Sequence, residues 1–584
     1  MISLVEPLPD WGSQAGALDP GGSSGWLQGH DGKMRIFVEY RDERYSAGGP
    51  AVSGAATLIL GTDNEWPVTP DRGHMAEAVS LDYDLENGRI EVRTSIVGLP
   101  AVFFCRSPSR LVIASDLWLM RSVPGVDFAF DRDGVRDFFR IGYPIGFRTL
   151  FQGIGIVPGG HRMVADTHGS FDLKRTWTAP AEAPLASWKE YTDLQIDLFG
   201  EAFKRIDLNG AVLSLTAGLD TRTILAALVK EHATIPACTM SWRDASLDAR
   251  TAAALCRAYG IEHEIVRFDG DFARQLPGHA LTSSRLSGGL ASVGQATEVA
   301  FYERMAGRRY RSRLSGYLGN QVGRGGVEQV SLRNGKLALL GPAVQGAGTL
   351  ENSNHWFYRE DRRGEPLDLA FRFQQEAMFS QVGNYGIGNH FMVQASPYAS
   401  RALIESVART PKDSTVDTAP TIRSMRLRDL RHRFFGEPDH RSFQRQLIRA
   451  AGGRVARYPI NWGWRASGGI SPKGAALGML TLVDALAESR GLNGNTLVGR
   501  ALTALRITGL HDFRRPRRWL IRDYVHDTLQ ARDLLGDGIL DRAAVEGMLK
   551  EHFSDERDRH GDLMLAMDLA HAYRVFVAAR RDTG

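Results

Sequence analysis

Val212-Leu-Ser-Leu-Thr-Ala-Gly-Leu-Asp-Thr-Arg222 reads as a buried strand that passes through a tight turn, Thr216 to Thr221, directly into a helix. Val212, Leu213 and Leu215 belong to a short apolar run, AVLSL, of the kind that forms a strand covered on both faces. TILAALVK (223–230) continues it as a helix. Such a junction presents backbone N–H groups at a helix N-terminus, with the hydroxyls of Thr216 and Thr221 beside them, which is a ready anion site. Asp220 repels anions, and it has a place in the site when a Mg²⁺ lies between it and phosphate groups. An ordinary βα turn with an N-cap Asp has the same spacing, so spacing alone leaves both readings open.

The pattern extends outward from this turn. Upstream, YTDLQIDLFGEAFKRI (191–206) repeats its apolar positions at helical spacing. Downstream come a strand (PACTMSW), a helix (DARTAAALCRAYG) and a strand (HEIVRF). Strand–helix alternation of this kind predicts an α/β fold with a doubly wound parallel sheet covered on both faces. Residues 1–185 read differently. Short apolar runs (MRIFVEY, AATLIL, IEVRTSIV, AVFFC, RLVIAS) are separated by Gly, Pro and Asp turns, which predicts a β-rich unit. APAEAPLAS (179–187) looks like a linker, so the expected division is 1–185 and 186–584, the part after about 400 being mostly helical.

The 584 residues are 43% hydrophobic and 24% charged, an ordinary globular composition, and the length suggests roughly two to four domains. Apolar runs such as Ile224 to Val229 fall far short of the roughly 20 residues a bilayer span requires. MISLVEPLPDWG has neither the basic nor the long apolar region of a signal peptide, and Cys105, Cys238 and Cys256 have no C-x-x-C spacing. A cytoplasmic location is the expectation. The net charge is only +4. The basic segments RSMRLRDLRHR (423–433) and RRPRR (514–518) read as solvated faces or as attraction for an acidic partner, and they lack the interleaved aromatics of a nucleic-acid platform.

Thr216 to Thr221 resembles the S-G-G-L-D-S pyrophosphate loop of the asparagine synthetase family, with Thr216, Ala217 and Thr221 in place of Ser, Gly and Ser. Met240-Ser-Trp and Ser246-Leu-Asp248 resemble the family's next strand and acidic turn. Leu314-Ser-Gly-Tyr-Leu-Gly-Asn-Gln-Val-Gly323 resembles L-S-G-E-G-x-D-E-x-x-G. VQASPYASRALIESVARTP (393–411) and the tail segments GILDRAAVEGMLKEH and LMLAMDLAHAYRVF follow the family too. GLPAVFFC, LVIASDLWLM and TLFQGIGIVPGGHRM resemble part of its N-terminal glutaminase-type fold. The resemblance implies a degenerate Ntn-like αββα domain followed by an ATP-pyrophosphatase synthetase domain. It also implies ATP and Mg²⁺ as cofactors and a nucleotide site at Ser214, Thr216, Ala217, Gly218, Leu219, Asp220, Thr221, Met240, Ser315 and Gly316. Asp220 and Asn320 are the implied metal ligands.

The departures carry information. A glutaminase of this family uses a cysteine as its first mature residue, whereas this sequence begins Met1-Ile2-Ser3; the expectation is a synthetase that does not make ammonia from glutamine. Tyr317 stands where asparagine synthetases have Glu, as in the similar β-lactam and carbapenam synthetases, which pair it with a downstream Glu. A phenol is a poor base at neutral pH, and a carboxylate that takes up its proton makes the pair a relay. Glu376 in FRFQQEAMFSQ is the favoured partner, with Glu351 at a similar separation from Tyr317. Asn320-Gln321 replaces the acidic pair, so one expected metal carboxylate is an amide. Where the family has P-x-x-x-x-x-R-x-K, Arg465 is kept and Ser467 replaces Lys, which leaves Arg465 and Lys473 as candidates to face the α-phosphate.

In length and in its vestigial N-terminal unit the chain looks most like lasso-peptide macrolactam synthetases. Such an enzyme adenylates an Asp or Glu side chain of a precursor peptide and joins it to the peptide's N-terminal amine, releasing AMP and pyrophosphate. Closing a ring of roughly nine residues costs about 2 kcal/mol from chain length alone, plus a larger constant, so a protein cradle is needed. The implied partners are the precursor peptide, a leader-binding protein and a leader protease, with no nucleic acid and no membrane span. An ammonia-dependent asparagine or small-molecule amide synthetase and a non-catalytic homologue are the alternatives.

Overall fold

The computed structural model describes residues 2–4, 24–28, 35–39, 55–61, 78–84, 88–107, 110–121, 123, 125–178, 180, 183–241, 246–268, 270–306, 308, 310–323, 338–344, 372–411, 438–458, 460, 522–529, 535, 537–554 and 559–578. The N-terminal part forms two antiparallel sheets. One has the order β2-β3-β1-β8-β7-β9, from β1 (Ile2–Leu4), β2 (Ser24–Gln28), β3 (Arg35–Glu39), β7 (Phe103–Ser107), β8 (Arg110–Ala114) and β9 (Ile154–Ile156). The other has the order β11-β10-β6-β5-β4, from β4 (Ala55–Gly61), β5 (Ala78–Asp84), β6 (Arg89–Thr94), β10 (His161–Asp166) and β11 (Phe171–Arg175). The expected β-rich unit is thus present. Cys105 lies within β7, partly buried, and burial pushes its thiol up.

The second part is α/β. Its sheet has the order β14-β13-β12-β15-β16, from β12 (Ala211–Ser214), β13 (Ala237–Ser241), β14 (His263–Arg267), β15 (Ser312–Leu314) and β16 (Val393–Ala395), and every neighbouring pair is parallel. β12 is central and buried along its whole length, which explains why its sequence is apolar without alternation. The helix Leu247–Tyr259 begins where Ser246 accepts from Ala249 N–H and ends at Gly260, whose φ of +65° suits glycine. The three-residue strands β15 and β16 escape a periodicity search because they are too short to show a repeat.

The two parts share a core. Phe576, near the C-terminus, stacks on Phe128 with ring centroids 5.5 Å apart and lies 5.0 Å from Phe151, both residues of the N-terminal part. Trp177 donates its indole N–H to Glu405 at 2.9 Å. The helix His560–Ala572 is also tied to the turn at Ser292, whose N–H and hydroxyl donate to Asp568 at 2.9 and 2.5 Å. His571 Nδ1 lies 3.1 Å from the same hydroxyl.

Burial pushes the Asp568 carboxyl up to about 7, against the Ser292 hydrogen bonds, and holds His571 down to about 4. For an acid shifted upward, the stabilisation of the neutral form is complete below the unfolded pKa near 3.8. It is lost as pH rises through about 7, at up to ~1.4 kcal/mol per unit. The His571 contribution has the opposite sign and is common to both chains compared. Asp568→Asn keeps the accepting oxygen, so it is expected to be more stable than wild type at pH 8 and to lose that advantage toward pH 4. Urea unfolding at the two pH values measures this, and equal stability at pH 8 would contradict it.

Candidate nucleotide site

The turn after β12 is held by its own side chains. Thr216 N–H donates to Thr221 Oγ1 at 3.2 Å, the two hydroxyls are 3.0 Å apart, and Gly218 N–H donates to Thr216 Oγ1 at 3.1 Å. Ala217 N–H donates to Asp248 Oδ1 at 2.8 Å, so one amide expected to face an anion is engaged by a carboxylate instead. The helix Leu219–Lys230 starts at Gly218 with no side-chain cap, and Asp220 lies in its first turn. An uncapped first turn aims backbone donors outward, and the helix dipole adds to them.

This turn opens onto a cavity of roughly 390 Å³. Ser214, Thr216, Gly218, Asp220, Thr221, Met240, Ser315 and Gly316, all named from the sequence, line it. Ala217 and Leu219 belong to the same turn without being among the lining residues. Two glycines bring the β15 turn against Asp220. A Cβ on Gly316 would lie 2.6 Å from Asp220 Cβ, and one on Gly319 would lie 2.7 Å from its Cγ. Between them Leu318 adopts a φ of +62°, a left-handed conformation that costs a non-glycine residue roughly 1–3 kcal/mol.

The lining also includes Thr239, Asp248, Phe268, Thr297 and Arg313, which the sequence reading did not name as site residues. Thr239 and Phe268 were findable, because ligands of parallel α/β sheets sit beyond the carboxyl ends of the strands. Asp248 is announced by its place in the first turn of a helix. Arg313 and Thr297 carry no local signal.

Two buried arginines organise the surroundings. Arg222, fully buried, donates to Tyr458 O at 2.6 Å and to Ala217 O at 3.1 Å, which fixes the turn from beneath. Burial lowers it to about 10, opposed by the charge of Asp248, so it stays a cation at neutral pH. Burial in turn raises Asp248, against the Ala217 N–H and Arg222. Arg313 bonds Glu298 and the Tyr302 hydroxyl, each at 2.6 Å, and Ser214 Oγ at 3.0 Å. Desolvation is the largest single influence and works against its charge, but Glu298, Tyr302 and Cys238 together outweigh it and the net shift is upward. Among the described residues it is the cationic side chain of the lining.

Tyr317 is half-buried beside the cavity turn, its ring 5.9 Å from that of Tyr385, and its carbonyl accepts from Ser396 Oγ at 2.6 Å. Tyr385 belongs to the helix Met378–Phe391, which directly follows the π-turn Arg372–Ala377. The Glu376 backbone lies in that π-turn, which packs against the short helix Gly319–Gly323. The Glu376 side chain lies outside what the structure describes, as do Glu351, Arg465, Lys473 and the basic segments 423–433 and 514–518. Asn320 is exposed on the short helix and is not among the residues lining the cavity.

The donor set fits a magnesium nucleotide better than a bare metal. No group of three or more His, Cys, Asp or Glu side chains among the described residues could hold a metal by itself. Mg²⁺ is ordinarily bound by one or two carboxylates plus substrate phosphate oxygens; Asp220 would offer the carboxylate, and the uncapped helix N-terminus beside it would offer N–H donors to the phosphates. No helix of the described residues is long and apolar enough to cross a membrane.

No protein-family model matches the chain, and no curated protein matches it. Among solved structures, that of NMN synthetase from Francisella tularensis matches at 15% identity, over 40% of this chain and 98% of that one, with a TM-score of 0.16. A superposition that loose bears on neither fold nor chemistry.

Proposed function

We propose that the chain is an ATP-dependent, AMP-forming amide synthetase, similar to asparagine synthetases but without glutaminase activity, acting on a peptide that it closes into a macrolactam. The observation that carries the first half is the convergence on one cavity of the Thr216–Thr221 turn, Asp220 and Ser315-Gly316. In this reading the first-turn amides and threonine hydroxyls bind phosphates, and Asp220 binds Mg²⁺ together with them. ATP supplies the adenylate that activates a side-chain carboxylate. Tyr317, with Glu376 as the acceptor of its proton, deprotonates the attacking amine, while Arg465 and Lys473 are the candidates for balancing charge at the α-phosphate.

Residues 1–185 are then a vestigial Ntn-like domain and 186–584 the synthetase domain. Cys105, partly buried in a strand with its thiol shifted upward, is poorly suited to act as a nucleophile. The packing of Phe576 on Phe128 and Phe151 gives the N-terminal unit a structural reason to persist, and it can serve as one wall of the peptide cradle. A precursor peptide, a leader-binding protein and a leader protease are the proposed partners, in the cytoplasm.

The test is mass spectrometry of protein, ATP and Mg²⁺ incubated with a leader-cleaved precursor peptide, beside an aspartate-plus-ammonium control. Loss of one water from the peptide, with AMP and pyrophosphate released, is expected, and Tyr317→Phe should slow it by about 10². Asparagine in the control with an unchanged peptide would favour a small-molecule synthetase. Silence in both, for the wild-type protein, would favour a non-catalytic homologue.

A further inference from the structure

Asp220 is held by residues far from it in sequence. Gln444, on the helix Ser442–Ala451 that packs against the helix of Asp220, is 1% exposed. Its Nε2 donates to Asp220 Oδ1 at 2.7 Å and to the Tyr398 hydroxyl at 3.0 Å. Tyr398, itself fully buried, donates to the main-chain carbonyl of Asp220 at 3.1 Å. The circuit is closed: one amide and one phenol grip both the side chain and the backbone of the same residue. The carboxylate can only accept, so the amide must present its NH₂ group to it.

We infer that Gln444 is a positioning residue that sets the Asp220 carboxylate for a cation carried by the nucleotide's phosphates. This rests on the nucleotide reading above and deepens it. Gly316 and Gly319 also approach the Asp220 side chain closely, so together with Gln444 they leave it little choice of rotamer. The chemical type of the donor matters as much as its place. A lysine or arginine at this position would neutralise Asp220 and compete with the cation it is set to receive. A neutral amide fixes the oxygen and adds no charge. Tyr398, also uncharged, follows the same rule. Neither Gln444 nor Tyr398 brings a positive charge to Asp220.

The test is calorimetric titration of the full chain with ATP in excess Mg²⁺, with ATP in EDTA, and with AMP. Gln444→Leu is expected to weaken ATP binding in Mg²⁺ about tenfold and to leave AMP binding within twofold of wild type. Gln444→Lys keeps a donor for both acceptors, so the fold is supported. It is expected to make ATP affinity nearly the same in Mg²⁺ and in EDTA, because the ammonium occupies the cation's role. A merely structural glutamine would change ATP and AMP binding by the same factor. That outcome, or wild-type Mg²⁺ dependence in both variants, overturns the inference. Wild-type protein that binds ATP no better in Mg²⁺ than in EDTA also overturns the inference, whereas wild-type protein that binds neither ATP nor AMP overturns the nucleotide reading itself.

Discussion

Asp220→Asn is expected to weaken ATP binding in Mg²⁺ by about 10²-fold, equivalent to roughly 2.7 kcal/mol, and to strengthen ATP binding in EDTA. The two signs come from one cause. The turn around Asp220 combines an uncapped helix start with two threonine hydroxyls, which in the proposed reading receive the phosphates. A carboxylate in that setting repels a naked triphosphate and attracts one that carries Mg²⁺. Asparagine removes both effects while keeping an oxygen that can accept from Gln444, so that hydrogen bond and the melting temperature should change little. Asp248 cannot substitute, because it is turned to the Ala217 N–H and balanced by Arg222. ATP affinities of the variant that stay within threefold of wild type under both conditions would refute the assignment of Asp220 to a metal–phosphate site.

Arg222→Met should destabilise the protein by about 3 kcal/mol and abolish nucleotide binding at the same time. The methionine fills much of the volume but leaves the carbonyls of Tyr458 and Ala217 without the charged donors they now have. It also leaves Asp248, whose carboxyl burial already raises, without its compensating cation. Arg222→Lys should recover part of the loss only, since a single ammonium cannot reproduce a planar fork reaching two carbonyls. Thermal unfolding is the measurement, with a fall of roughly 2–4 °C expected for methionine in a chain of this length. A variant that melts within one degree of wild type would mean that the turn is held by its other hydrogen bonds without help from Arg222.

The site was legible in the sequence to the extent that its residues are neighbours in the chain. Thr216 to Thr221 make a strand–turn–helix junction that local patterning alone announces. Ser315 and Gly316 were reached through a second motif, and both line the same cavity. Gln444 and Tyr398 were not reached. They stand 224 and 178 positions from Asp220, in helical segments where a buried glutamine or tyrosine has no distinctive spacing. Arg313 was hidden for another reason. It sits in a three-residue strand, and a charged residue next to a motif reads as solvent-facing until Glu298, Tyr302 and Ser214 are seen around it.

By itself the sequence determined the β-rich start, the α/β alternation after Trp188 and the turn at the head of β12. Those features depend on short-range periodicity and on the conformations that turn residues allow. Tertiary structure alone decided the strand order β14-β13-β12-β15-β16 and the approach of Gln444, Tyr398, Gly316 and Gly319 to Asp220. It also decided the packing of Phe576 against the touching pair Phe128 and Phe151. Each of these joins segments whose separation along the chain far exceeds any helical or strand repeat. Their pairing is selected by which surfaces fill one another's volume and satisfy one another's polar groups, and no local pattern encodes that choice.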